Sequence, residues 1–340
     1  MTLSSLTPAD LAAVPADVVA RLHAAHDVLT ICHENPEADA LGSALGLALA
    51  LETLGKRATP VCSDVVPPMY DFMPHIDRFR RDPESDHAYD LIVVGDCGDL
   101  ARVGSVLARH AELFGRVPIV NIDHHISNPG FGAFNWVDAT AAATCEMDTL
   151  LMAALGVPLD AAGGAVAANL MAGVVIDTAN FQHPNVTPRT LRVAAELVAA
   201  GAPLSDTARL LYRTKPNRQL KLFGLVLARL ESELDGRLVW SALYESDYAA
   251  SGATVEDTEG LSDLLSQSAS AEIMVLCRDM GERTKISVRT REGGPDATVL
   301  TGMFGGGGHA RASGATLPLP IGEAIPAVLE AARRQLGERG

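Results

Sequence analysis

The chain has 340 residues, 48% of them hydrophobic and 20% charged, which is enough for two domains with substantial cores. Its formal charge of −15 argues against a broad basic surface that tracks a long duplex or a long single strand. A small anionic substrate, held by a few local Arg and Lys or offset by bound cations, remains compatible.

Five cysteines with no Cys-x-x-Cys pair argue against a thiolate zinc cluster and a disulfide framework, and for free thiols in a reducing cytoplasm. The N-terminus lacks a basic segment followed by an apolar run, so no signal peptide is expected. The apolar stretches are interrupted well short of a membrane span.

In chain order, residues 27–32 (DVLTIC) read as a buried strand, HENPEAD as a loop, and 42–55 as an Ala- and Leu-rich helix ending at Gly55. Residues 57–64 and 90–97 read as strands, 101–115 as a helix and 117–125 as a strand. This strand-helix alternation predicts a parallel, Rossmann-like α/β sheet, whose ligands bind at the carboxyl ends of the strands. A mostly helical stretch covers 140–173, and GVVIDTANF (173–181) repeats the pattern of an apolar run ending in an acid. A helix is expected over 187–201, with Thr187 as N-cap, Pro188 near its start and Gly201 past its end, followed by further helices over 204–231. Strands over 237–246, 271–280 and 283–290 and helices near 259–268 and 321–336 predict a smaller, mixed α/β domain. The expected boundaries are 1–189 for a catalytic domain, 190–231 for a helical connector and 232–340 for a substrate-binding domain.

Acidic and histidine side chains gather at these segment ends: His33, Glu37 and Asp39 in one loop, then Asp96, then Asp123-His124-His125, then Asp177. One Asp at a strand end is an ordinary cap or turn residue. Four acid-ended segments on one edge would instead bring the carboxylates together, where buried charge needs partners or metals. Carboxylates and imidazoles without thiolate suit Mn2+, with Mg2+, Co2+ or Fe2+ as alternatives and Zn2+ not excluded. Two such ions about 4 Å apart can clamp a phosphoryl group.

A second motif lies near the C-terminus, where Gly305 to Gly308 precede His309, Ala310 and Arg311. It reads as a flexible loop or as a place where backbone N–H groups approach an anion, and it is neither a dinucleotide fingerprint nor a P-loop. Lys285, Ser287 and Arg289 alternate on the 283–290 strand and so share a face, which suits either solvent or a phosphate.

With these motifs the chain resembles the DHH phosphoesterase family, and within it the bifunctional oligoribonuclease/PAP phosphatase group of short-RNA nucleases. The matching residues are His33 through Ser43, Asp96, Asp123-His124-His125, Asp177 and the Gly-Gly-Gly-His of 306–309. The resemblance implies an active site in an interdomain cleft, with one ion on His33, Glu37 and Asp96. It puts a second ion on Asp39, Asp96, His124 and Asp177, with Asp96 bridging. It implies that His125 faces the scissile phosphate, that Asp123 supports the histidine pair, and that Gly307, Gly308, His309, Arg311, Ser287 and Arg289 hold the nucleotide, with Arg189 as a further phosphate contact. Glu37 departs from the family, which usually has Asp there; the added methylene puts the first ion's position and affinity in question.

The activity so implied is hydrolysis of RNA of about two to five nucleotides to 5′-mononucleotides, together with removal of the 3′-phosphate of adenosine 3′,5′-bisphosphate. Turnover of dinucleotide signals such as pApA or pGpG is the alternative. A family II-like pyrophosphatase, a single-strand DNA exonuclease and a non-catalytic nucleotide-binding module rank below it. The expected partners are short RNA and nucleotide phosphates, with no long duplex and no membrane, in the cytoplasm; a homodimer stays open.

Overall fold

The computed structural model describes residues 5–85 and 87–337. The chain divides into two compact units, Met1–Thr214 and Lys215–Gly340. That boundary falls inside the stretch expected as a connector. The Pro188–Ala199 and Leu204–Tyr212 helices belong to the first unit and the Asn217–Leu227 helix to the second.

The first unit is built on five parallel strands: β1 (Asp27–Ile31), β2 (Arg57–Val61), β3 (Leu91–Gly95), β4 (Ile119–Asp123) and β5 (Phe134–Val137), in the order β2-β1-β3-β4-β5. Strands β1, β3 and β4 are buried along their whole length, which is why they read as unbroken apolar runs. The order reverses between β1 and β3, so the loops after these strands open a crevice at the carboxyl edge. His33 follows β1 and Asp96 follows β3.

One face of the sheet is covered by the Ala38–Thr53 and Thr144–Leu155 helices, and the Ala165–Asp177 helix packs against both of them. These helices pack closely: a Cβ on Gly173 would stand 2.5 Å from Asp39 Oδ1 and strike the Cys145 sulfur. The helix expected over 101–115 is broken into a short turn, Leu100–Val103, and two helical pieces, Ser105–Arg109 and Ala111–Arg116. Gly104, at φ 77, ends the first of them.

The 173–177 run proves to be the last turn of a helix rather than a strand. Residues 165–175 are buried all round, so they show no amphipathic period, and an apolar run of that kind does not distinguish helix from strand. The helix after Thr187 forms as expected, with the Thr187 hydroxyl accepting from Thr190 N.

The second unit carries a six-stranded mixed sheet: β6 (Glu231–Glu233), β7 (Leu238–Leu243), β8 (Ile273–Asp279), β9 (Thr284–Thr290), β10 (Gly307–His309) and β11 (Ala312–Leu317). Its order is β10-β11-β9-β8-β7-β6, and only the β7–β8 pair is parallel. The glycine-histidine segment, expected as a loop, is half of the β10–β11 hairpin. With no side chain at Gly307 or Gly308, that strand carries no period-two pattern. The Ile321–Gly337 helix buries Ala324, Val328, Leu329, Ala332 and Leu336 against this unit's core. Among the described residues no helix is long and apolar enough to cross a membrane.

Candidate active site

Four carboxylates and three imidazoles come together at the carboxyl edge of the first unit's sheet. Asp96 is their hub. Its backbone takes the left-handed conformation (φ 53), which turns the side chain out of the β3 line into the crevice. Oδ1 lies 3.4 Å from His124 Nε2 and 3.7 Å from His125 Nδ1, and Oδ2 lies 3.6 Å from His33 Nε2. The two oxygens therefore face different imidazoles, the disposition a bridging ligand needs.

His124 Nε2 also lies 3.2 Å from Asp177 Oδ2, while its Nδ1 donates to the Ala141 carbonyl at 3.4 Å, aiming Nε2 at the acids. His33 is fixed the same way by donating from Nδ1 to Glu34 O (2.6 Å). His125 donates from Nδ1 to Asp123 Oδ1 (2.7 Å), and Asp123 is fully buried and receives a second bond from Asn128 Nδ2.

Asp39 stands in the first turn of the Ala38–Thr53 helix and is held by the N-terminus of the Thr144–Leu155 helix. Thr144 N donates to its Oδ2 (2.7 Å) and Cys145 N to its Oδ1 (2.9 Å). Free N–H groups and the positive end of the helix dipole stabilise the carboxylate there. The Thr144 hydroxyl reaches Asp96 Oδ1 (3.2 Å), so one helix start positions both acids. Thr144, Cys145 and Asn128 are site residues that sequence reasoning missed. Local pattern carries no signal for Thr144 and Cys145, because they meet Asp39 from 105 and 106 positions away.

Among the described residues two groups of side chains could each hold a cation: Asp96, His124 and His125, and Asp39, His124 and Asp177, with the ligand atoms of each group within 4.8 Å of one another. His33 adjoins the first group through Asp96 Oδ2. Glu37 is exposed, occupies the residue before the helix that carries Asp39, and stands outside both groups.

The electrostatics explain why cations suit the cluster. Burial, together with the charges of Asp177 and Asp96, pushes Asp39 well above the usual carboxylate range, and burial raises Asp177. Burial works against ionisation of Asp96 too, but hydrogen bonds from His124 and His33 overcome it and hold Asp96 well below the usual range. Burial would lower His124, yet Asp177 and Asp96 push it up to about 12. The proton held by His124 thus offsets repulsion among the acids that a divalent cation would offset better. The donor set, hard oxygens with imidazole nitrogen, fits such an ion.

In the second unit Lys285, Ser287 and Arg289 do share a face, with Ile286 and Val288 buried behind them. Together with Arg278, Thr258 and Ser262 they line a cavity of about 260 Å³. Register carries the face toward the glycine strand: Arg289 pairs with Ala312 and Ala312 with His309, while Ser287 pairs with Gly314 and Gly314 with Gly307. Gly308, the third residue of the motif, pairs with Ser313 between these two rows.

The two other arginines expected at the substrate are committed to protein partners. Arg311 Nη1 donates to the carbonyls of Arg291 (2.6 Å), Gly294 and Pro295, fastening that loop. Arg189 donates from Nε to buried Glu146 (2.6 Å) and pairs through Nη1 with Asp138 (2.9 Å).

Comparison with known proteins agrees with this architecture. Residues 27–201 match the model of the DHH family, N-terminal domain, and residues 239–338 match the DHHA1 domain. The bifunctional oligoribonuclease and PAP phosphatase NrnA of Thermus thermophilus is 37% identical over 311 residues, covering 91% of this chain and 90% of that protein. The protein of the same name from Bacillus subtilis is 28% identical over 289 residues, covering 84% and 87%. An exopolyphosphatase-related protein from Bacteroides fragilis shares the fold, with a TM-score of 0.81 at 22% identity over 97% of this chain and 98% of that one. The chain is a member of the DHH family, with a DHHA1 domain following its parallel-sheet domain.

Proposed function

We propose that the chain is a divalent-metal-dependent phosphoesterase that cleaves very short oligoribonucleotides to 5′-mononucleotides and removes the 3′-phosphate of adenosine 3′,5′-bisphosphate. The observation that carries this reading is the convergence of Asp39, Asp96, Asp177 and His124 on one sheet edge. It stands in a chain 37% identical, over 91% of its length, to a relative named for both activities.

Two ions, Mn2+ by preference, would be held by this set: one by His33 and Asp96 with Glu37 nearby, the other by Asp39, Asp96, His124 and Asp177. When bound, they supply Lewis-acid stabilisation of charge on the phosphoryl group. The chain's own residues do the rest. Thr144 and Cys145 hold the acids in place before substrate arrives. His125 donates from Nδ1 to Asp123, which fixes the orientation of the ring and leaves Nε2 to face a phosphoryl oxygen. Arg289, Ser287 and His309 line one face of the second sheet beside backbone laid bare by Gly307 and Gly308, which suits a nucleotide's phosphate and sugar. A finite cavity beside that face, rather than a long basic groove, agrees with a short substrate and with the net charge of −15.

One metal-controlled assay tests the reading. RNAs of increasing length, pApA, pGpG, adenosine 3′,5′-bisphosphate and pyrophosphate are compared with Mn2+ present and after chelation. The expected result is Mn2+-dependent release of mononucleotides, fastest from the shortest RNAs, with phosphate released from the bisphosphate and none from pyrophosphate. Pyrophosphate hydrolysis with inert RNA would overturn the reading.

A further inference from the structure

The residue after the Ala165–Asp177 helix begins an unusual turn. Ala179, Asn180 and Phe181 all take left-handed backbone conformations, with φ of 45, 58 and 62. None is glycine, so each costs free energy that the surroundings must offset, and the three in succession begin two residues after Asp177. The turn persists because the helix end is capped from several directions.

A helix leaves its last four carbonyls without internal partners. Here each finds a donor. Val174 O receives Thr178 N (3.2 Å) and the Thr178 hydroxyl (2.6 Å). Val175 O receives Asn180 N (2.8 Å), and Ile176 O receives Ala179 N (3.0 Å). The Tyr212 hydroxyl, from the end of the Leu204–Tyr212 helix, stands 3.2 Å from both of these carbonyls. Asp177 O receives Asn185 Nδ2 (3.2 Å) and His183 Nδ1 (3.3 Å). Asn185 Nδ2 also reaches Ala142 O (3.2 Å), which ties the cap to the segment leading into Thr144 and Cys145.

We propose that Tyr212, seconded by Asn185, is a positioning residue that holds the strained 179–181 turn closed and so sets where the Asp177 carboxylate stands against His124. Neither side chain is assigned to the ion or the substrate. The phenol hydroxyl acts through two backbone carbonyls, and the amide acts through a third and through Ala142. The inference rests on the reading of Asp177 as a metal ligand. The turn itself can be read without any ion.

The test is made on metal-free full-length protein, by calorimetric titration with MnCl2 and by amide hydrogen exchange over residues 177–183. Tyr212→Phe removes the hydroxyl and keeps the ring. It should weaken Mn2+ binding about fivefold, the scale of one hydrogen bond, and speed exchange at Ala179, Asn180 and Phe181. The global unfolding midpoint of the metal-free protein should stay close to wild type. Asn185→Ala should act in the same direction. Ala179→Gly added to Tyr212→Phe should restore part of the affinity, because glycine removes one left-handed cost. Unchanged exchange and unchanged Mn2+ affinity in Tyr212→Phe would overturn the positioning role. Wild-type protein that takes up no Mn2+ would instead refute the metal reading.

Discussion

The acid edge of the first unit and the basic face of the second handle charge in opposite ways. In the first, Asp39, Asp96 and Asp123 are buried and each is held by a named donor, so the position of any one depends on the others. In the second, Lys285 is exposed, and Ser287 and Arg289 are half-buried along one strand. Arg289 pairs with exposed Asp263 at 3.0 Å and donates to its neighbour's carbonyl, Val288 O, at 3.4 Å. A buried, interlocked cluster is organised before substrate binds and fails as a whole. An open face of separate contacts adds affinity piece by piece.

The largest effect that could break this contrast is at Asp96. Asp96→Ala should lower kcat on both substrates by roughly a thousandfold or more, the scale of losing a principal electrostatic group, while circular dichroism stays native. Substantial turnover in the purified variant would remove Asp96 from the centre of the cluster.

The next is the pH dependence of metal uptake. His124 is pushed up to about 12, so in metal-free protein it holds a proton that a cation must displace, and the upward shifts of Asp39 and Asp177 act in the same direction. Mn2+ affinity should therefore fall as pH falls from 8 to 6, by about tenfold per pH unit for each proton released. Calorimetry in buffers of different ionisation enthalpy would count those protons, and a pH-independent affinity would contradict the interlocked picture.

On the basic face, Arg289→Ala should raise KM for short RNA by roughly ten- to a hundredfold, the worth of about 1.5–3 kcal/mol for a charge-assisted hydrogen bond. Mn2+ affinity should be unchanged. A parallel loss of metal binding would mean that the two regions are not separable.

The smallest effect sharpens the first unit alone. Asp148 is fully buried in the Thr144–Leu155 helix, and neither carboxylate oxygen has a partner in full hydrogen-bond geometry among the described residues. Burial pushes it up to about 7; the Ser43 hydroxyl offsets part of this and the Asp96 charge adds to it. Its folded pKa lies above the ordinary aspartate value of 3.8, so the folded protein keeps a proton that the unfolded chain has released. Stability contributed by that proton is complete below the unfolded pKa and is lost as pH rises toward about 7. Asp148→Asn should therefore flatten the stability profile between those limits, by up to about 1.4 kcal/mol per pH unit, in denaturant titrations of metal-free protein. Identical profiles for the two proteins would show that Asp148 does not titrate there.

Much of this site was legible before any coordinates. Strands β1, β3 and β4 announced themselves as buried apolar runs, and the residues that follow or end them, His33, Asp96 and Asp123-His124-His125, were read as one edge. The shared face of Lys285, Ser287 and Arg289 followed from period two alone. Asp177 reaches the same cluster from the end of a helix rather than of a strand, which its apolar run does not reveal. Glu37, grouped with the ligands by motif, stands outside both cation groups.

Residue order alone dictates which chemistry lies at the ends of which segments, because alternation, apolar runs and turn residues act over a few neighbours. Tertiary structure decided everything that depends on distant segments arriving together. The Thr144 and Cys145 amides meet Asp39 across more than a hundred residues, and Tyr212 caps a helix 36 positions away. Commitment of Arg189 and Arg311 to other partners depends equally on packing. No local pattern encodes such meetings, because each partner is a backbone group or a distant side chain that leaves no mark on the residues beside it in the chain.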